Sequence, residues 1–136
     1  MKFQSREDFD QALVDALKVS KPDLVVLAGF MRILTSVMTK AFKNKIINIH
    51  PSLLPKYPGL DTHNSVIQNG DLKHGITIHY VNEVLDGGEI IAQGEISLST
   101  NETLEDLKAR IHSIEHVMLP KVVSKFADGT INTKKK

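Results

Sequence analysis

Residues 46–58 read Ile46-Ile47-Asn48-Ile49-His50-Pro51-Ser52-Leu53-Leu54-Pro55-Lys56-Tyr57-Pro58. A short apolar run carries two polar residues and stops at a proline. A strand over Ile46–His50 alternates its faces with period two. Ile47 and Ile49 then point one way, and Asn48 and His50 point the other as neighbours. Pro51 cannot donate a ladder hydrogen bond, so the strand ends there. An amide and an imidazole thus stand side by side at the C-terminal end of a strand, where open α/β sheets bind ligands. The same two residues also suit a satisfied polar strand edge, and the stretch alone does not choose between these readings.

Working outward, Leu24–Phe30 is a continuous β-prone apolar run, the pattern of a strand buried on both faces of a parallel sheet. Before it, Ser5 predicts an N-cap, with Asp8 three residues on. Phe9, Ala12, Leu13, Ala16 and Leu17 recur at helical spacing for about four turns, and Pro22 closes the helix. Thr35 predicts the cap of a short helix carrying Val37, Met38, Ala41 and Phe42. Helix–strand–helix–strand order points to an α/β sheet.

Downstream, Pro55, Pro58 and Gly59 stiffen the loop, and Asp61 or Thr62 opens a helix ending at Gly70. Gly75–Val81 alternates, with Thr77, His79 and Val81 on one face. Asp86-Gly87-Gly88 marks a turn, and Glu89–Leu98 reads as a neighbouring strand. Thr103, with Asp106 three residues later, starts a helix with apolar residues Leu104, Leu107, Ile111, Ile114 and Met118. Pro120 is expected to interrupt it, with Val122, Val123 and Phe126 continuing an apolar face. Gly129 ends that segment, and a last short strand is expected over Thr130–Thr133. No repeat or linker divides the chain, so residues 1–136 read as a single domain.

The 136 residues hold 41% hydrophobic and 24% charged side chains with a formal net charge of +1. That balance fits a globular domain and gives no electrostatic reason to expect nucleic acid or a membrane as partner. There is no cysteine, which removes disulfides, thiolate metal sites and a cysteine nucleophile. No apolar run reaches bilayer length and the charged start lacks a signal-peptide core. A cytoplasmic location is expected. Lys134–Lys136 reads as a frayed basic tail.

Asn48 and His50 suit a reaction that develops an oxyanion, because an amide and a protonated imidazole both donate hydrogen bonds. A nearby carboxylate favours the charged imidazole, and Asp86 is the best candidate, although Asp-Gly is also a common turn former. No phosphate-binding glycine loop, metal-ligand spacing or nucleophile elbow is present. Acyl transfer fits better than hydride or phosphoryl transfer.

Three stretches in order carry a resemblance: Gly29-Phe30-Met31-Arg32-Ile33-Leu34, Asn48-Ile49-His50-Pro51-Ser52-Leu53-Leu54-Pro55, and Leu85-Asp86-Gly87-Gly88. Together they resemble the phosphoribosylglycinamide formyltransferases of the folate-dependent formyltransferase family, over about Ser5 to Phe126. Residues 56–63 and the Ser113–Pro120 region narrow the resemblance to that member. It implies a Rossmann-type mixed sheet flanked by helices, and formyl transfer from 10-formyltetrahydrofolate to the amine of glycinamide ribonucleotide in purine synthesis, without a metal. It casts His50 as general acid, Asn48 as holder of the formyl oxygen, and Asp86 as the carboxylate behind His50. Met31, Arg32, Ile33 and Leu34 match the segment that grips the pterin. Asn82, Glu83, Val84, Leu85 and Asp86 match the loop on its other side, and Arg6 matches an arginine near the folate. His112, Ser113, Ile114 and Glu115 fall where the ribonucleotide is contacted, and His79 matches a position near the site.

Relative to that family, the first strands and the phosphate-holding βα turn are missing ahead of Met1. The expectations are a fragment or truncated product, poor binding of the ribonucleotide by this chain alone, and an exposed edge at Leu24–Phe30 that favours self-association, with a homodimer as one form. Three alternatives stand beside the transferase: a formyltetrahydrofolate deformylase, a methionyl-tRNA formyltransferase, and a non-catalytic folate-binding remnant. The first is disfavoured by the residues 52–60 loop. The second is disfavoured by the lack of a basic surface and of a further C-terminal domain.

Overall fold

The computed structural model describes residues 5–28, 34–84 and 86–131. The element order is α1 (Arg6–Ser20), β1 (Val25–Ala28), α2 (Ser36–Ala41), β2 (Ile46–His50), α3 (Thr62–Gln68), β3 (Lys73–Tyr80), β4 (Ile90–Ser97) and α4 (Leu104–Ala127). The four strands form one mixed sheet in the order β1-β2-β3-β4. β1 and β2 are parallel, whereas β2–β3 and β3–β4 are antiparallel.

The sheet has a core on each face, as the alternation of β2 requires. Ile47 and Ile49 join Ile76 and Ile78 of β3 and meet Leu107, Ile111 and Val122 of α4. Ile46, on the opposite side, packs with Val25, Leu34, Met38, Phe42 and Val14 of α1. Asn48 and His50 share the face of Ile46, and the register places them opposite His79 and Thr77. α1 and α2 therefore lie on the polar pair's side of the sheet, and α4 covers the other.

Ser5 caps α1 as expected, accepting from the Asp8 N–H at 3.1 Å. The buried stripe of α1 differs from the expected one. Ala12 and Ala16 are exposed, while Val14 and Asp10 are buried. Asp10 is there because it serves α2: one carboxylate oxygen accepts from both the Thr35 N–H and the Thr35 hydroxyl at 2.7 Å. That interaction satisfies an orphan donor at the start of α2.

Among the described residues β1 is an edge strand, and Val26 is 36% exposed. The exposed edge expected over Leu24–Phe30 is found at β1, whereas the expectation of burial on both faces is corrected: Val26 and Ala28, on one face, are exposed. α4 also corrects the reading, since it runs unbroken through Pro120. Proline there removes one backbone donor, but Leu107, Ile111 and Val122 on one stripe hold both sides of it to the core. Residues Thr130 and Ile131 form a bend rather than a strand, and the rest of that expected strand lies outside the described residues.

Candidate active site

Each polar member of the site is placed by its element. β2 ends at His50, so Asn48 and His50 both reach the same end of one face. His79 of β3 stands directly across from Asn48. Asp86 comes from the turn after β3, in a left-handed conformation with φ 53° that aspartate tolerates better than most residues. Gly88 lets that turn lie against the end of β3, because a Cβ would stand 2.6 Å from the Tyr80 carbonyl carbon.

The turn brings the carboxylate home. Asp86 Oδ2 lies 3.5 Å from His50 Nδ1, and both side chains are only 6% exposed. The same oxygen accepts from the Gly59 N–H at 2.7 Å. His50 Nε2 lies 2.8 Å from the Tyr57 carbonyl, so both ring nitrogens face oxygen acceptors. Tyr57 itself has φ 53°, an uncommon conformation for a bulky residue. His79 closes the group. Its Nδ1 donates to the Tyr80 carbonyl at 2.8 Å, and its Nε2 sits 3.4 Å from Asn48 Nδ2 and 3.8 Å from Asp86 Oδ1. Burial pushes the His79 imidazole below its ordinary range, which favours the neutral ring. Asn48, His50, His79 and Asp86 thus converge in one buried polar cluster. Asn48 Oδ1 is buried there without a hydrogen-bond partner among the described residues.

The loop between β2 and α3 is fastened beneath this cluster. Ser52 Oγ donates to the Lys56 carbonyl at 2.6 Å, and Thr77 Oγ1 donates to the Ser52 carbonyl at 2.7 Å. The Leu54 N–H donates to Thr77 Oγ1 at 3.0 Å. The peptide bond before Pro55 is cis. Sequence reading found the loop stiff but missed its role, since the Gly59–Asp86 bond joins residues far apart in the chain and has no local signal.

Among the outer candidates, Leu34 is buried against Met38 and Ile46, while Met31, Arg32, Ile33 and Leu85 lie outside the described residues. Asn82 Oδ1 accepts from the Val84 N–H at 2.8 Å, folding the loop on itself, and Glu83 accepts from Thr39 of α2 at 2.9 Å. Val84 is exposed. The loop and α2 border a cleft of about 400 Å³. Arg6 opens α1 and is exposed; among the described residues no hydrogen bond or ion pair joins it to Asn48, His50 or Asp86.

On α4, His112 and Glu115 line a shallow cleft of about 370 Å³ with His63 and Lys108. Burial raises the Glu115 carboxyl above its ordinary value, against the opposing pull of His112 and His116. Ser113 and Ile114 do not join them. The Ser113 hydroxyl donates back to the Ala109 carbonyl at 3.0 Å, and Ile114 packs against the core. His63 Nδ1 also lies 3.0 Å from His74 Nε2, a pairing that the sequence reading did not foresee. Among the described residues no group of three or more His, Asp or Glu is arranged to hold a metal.

The profile of the formyl transferase family matches residues 1–123, which include every member of the buried cluster. The chain belongs to the formyl transferase family. It is 45% identical over 129 residues to the phosphoribosylglycinamide formyltransferase of Escherichia coli (strain K12), covering 95% of this chain and 61% of that protein. It is 42% identical to the Haemophilus influenzae enzyme of the same name, over 97% of this chain and 62% of that one. The chain thus spans about three fifths of the length of these two relatives. A crystal structure of phosphoribosylglycinamide formyltransferase from Bacillus halodurans superposes with a TM-score of 0.91 at 38% identity, over 98% of this chain and 69% of that one. The mixed sheet flanked by helices is therefore the formyl transferase fold, as expected from the sequence. No helix among the described residues is long and apolar enough to cross a membrane.

Proposed function

We propose that residues 1–136 form one domain that carries the catalytic and folate-binding part of a phosphoribosylglycinamide formyltransferase. The reaction moves a formyl group from 10-formyltetrahydrofolate to the amine of glycinamide ribonucleotide, in the cytoplasm. The observation that carries this reading is the convergence of the Asn48 amide, the His50 imidazole and the Asp86 carboxylate in one buried cluster.

The cluster suits a formyl donor. Asn48 Nδ2 has two hydrogens and spends one on His79, leaving a donor for a carbonyl oxygen. The donor substrate supplies an electrophilic formyl carbon bonded to N10. Asn48 and a protonated His50 stabilise negative charge on the formyl oxygen when the amine attacks. Asp86 pairs with the imidazolium and, with His50, handles the proton that passes from the amine to the leaving N10. For His50 to turn a ring N–H toward the substrate, it gives up the Tyr57 carbonyl.

Leu34, with Met31, Arg32 and Ile33, is assigned to one side of the pterin, and Asn82–Asp86 to the other. Arg6 is assigned to the folate's outer part, and the His112–Glu115 segment to the ribonucleotide, with Glu115 as its direct partner. A homodimer is the proposed assembly. The test is to incubate the chain with both substrates and follow formylglycinamide ribonucleotide and tetrahydrofolate together. Their equal formation, lost in His50→Ala, is the expected result. Formate release that does not depend on the ribonucleotide would replace this reading with a hydrolase, and folate binding without either reaction would leave a binding domain.

A further inference from the structure

We propose that His112 and His116 on α4 form a two-nitrogen chelate for a divalent late transition metal, copper or nickel, and that the bound ion ties His112 away from the cleft beside it. The chelate stands on its own geometry. Its effect on the cleft rests on the formyl-transfer reading above, which assigns the ribonucleotide there.

Residues four apart on a helix are neighbours on one face. α4 is unbroken through both positions, and Leu107 and Ile111 hold it to the sheet, so the backbone beneath the two rings is fixed. Both histidines are exposed, yet their rings lean together. Nε2 of one lies 2.8 Å from Nε2 of the other, with ring centroids 4.3 Å apart. When both rings are neutral, one hydrogen bridges the two nitrogens.

Glu115 decides which ring carries that hydrogen. Its Oε2 lies 3.7 Å from His112 Nδ1, which draws the His112 hydrogen to Nδ1 and leaves a lone pair on Nε2. The bridging hydrogen therefore belongs to His116 Nε2. A metal takes its place: the hydrogen passes through water to His116 Nδ1, and both Nε2 lone pairs become ligands. Each ring stays neutral throughout. The Glu115 carboxylate then stands behind a ligating histidine, the usual arrangement around protein-bound metals.

The spacing selects the ion. With metal–nitrogen distances of about 2.0–2.1 Å, a right angle at the metal separates two nitrogens by about 2.8–3.0 Å, and a tetrahedral angle by about 3.3–3.4 Å. The observed 2.8 Å fits the right angle, the geometry of copper(II) and nickel(II) and not of zinc. Water fills the remaining positions, so the ion exchanges readily and takes no part in formyl transfer. Magnesium, which prefers oxygen ligands, is refused. His63 and His74 also bring two ring nitrogens to 3.0 Å, but His74 is buried, so a hydrated ion reaches only the pair on α4. His112 also lines the cleft of about 370 Å³ with His63, Lys108 and Glu115. A ring held by a metal cannot turn to a ligand in that cleft.

The experiment uses the full chain without an affinity tag. Calorimetric titration with Cu2+ or Ni2+ should show one site per chain, with Zn2+ weaker and Mg2+ silent. Glu115→Ala should weaken Ni2+ binding by about 10-fold, the loss of a partner behind a ligand. His116→Gln, which removes a ligand, should weaken it by more, and His74→Gln should leave it unchanged. Electron paramagnetic resonance of the Cu2+ complex should show two imidazole nitrogens in the parent chain and one in His116→Gln. In the formyl-transfer assay Ni2+ should raise KM for glycinamide ribonucleotide several-fold and leave kcat alone, and His116→Gln should keep the parent kinetics and ignore the metal. Binding that survives His116→Gln, Mg2+ bound as tightly as Ni2+, or a copper spectrum with a single nitrogen overturns the chelate. A KM that does not change with the metal bound overturns its effect on the cleft. If the chain transfers no formyl group, the binding results still decide the chelate, and only the reading above falls, with the effect that rests on it.

Discussion

At the residue scale, the site is an arrangement of few side chains whose spacing is decided by strand geometry and one turn. Removing the imidazole or its carboxylate tests this directly. His50→Ala and Asp86→Asn are each expected to lower kcat for formyl transfer by about 10²–10³-fold, the range for a lost oxyanion or acid–base group, measured by steady-state kinetics with both substrates varied. Asp10 is a different kind of residue, buried for the sake of α2. Asp10→Ala leaves the Thr35 N–H and hydroxyl without their acceptor and should destabilise the chain by about 1–3 kcal/mol, read from urea unfolding. The alternation of Asn48 with His50, and of Thr77 with His79, was legible because a period of two needs only neighbours. Asp10 was not, because its partner lies 25 residues away and nothing local marks a carboxylate on an apolar stripe. The Gly59 N–H on Asp86 escaped notice for the same reason, being 27 residues away in the chain.

At the scale of elements, the facing rings of His63 on α3 and His74 on β3 tie the helix to the sheet. Burial, then the neighbouring His63, pushes His74 from 6.5 down to about 4, and His63 is held low chiefly by burial. Depressed histidines bind fewer protons in the folded state than in the unfolded one. The stability they contribute is therefore complete above the unfolded value of 6.5 and is lost as pH falls toward the folded value of about 4. Urea midpoints taken across that window should fall with pH in the parent chain, and more shallowly in His74→Gln. The turn after β3 offers a second test. Gly88→Ala sets a methyl against the Tyr80 carbonyl and should cost about 1–3 kcal/mol as overpacking does, with a loss of activity because Asp86 moves. The limits of α1, β2, β3 and β4 were readable within a residue or two from caps and alternation. The unbroken α4 was not, since Pro120 is a local signal and the hold of the sheet on Leu107, Ile111 and Val122 is a tertiary one.

At the scale of the whole molecule, the sheet ends at β1 with one side of its backbone unmatched by another strand among the described residues. Such an edge templates pairing with further chains. Sedimentation or light scattering is expected to show self-association that grows with concentration, and Val26→Lys, a charge on the exposed part of the edge, should reduce it. The sequence reading expected an open edge here together with burial on both faces; the edge is present and the full burial is not, because a continuous apolar run looks the same whether or not a second layer covers it. The anchor of Asp86 carries a consequence of its own. The hydrogen that steadies this carboxylate is donated by the main chain at position 59, where φ is 87° and only glycine sits without strain. Any side chain put there would have to bend the loop against its preference, and the acid–base hardware beneath it would lose its footing together with that bend.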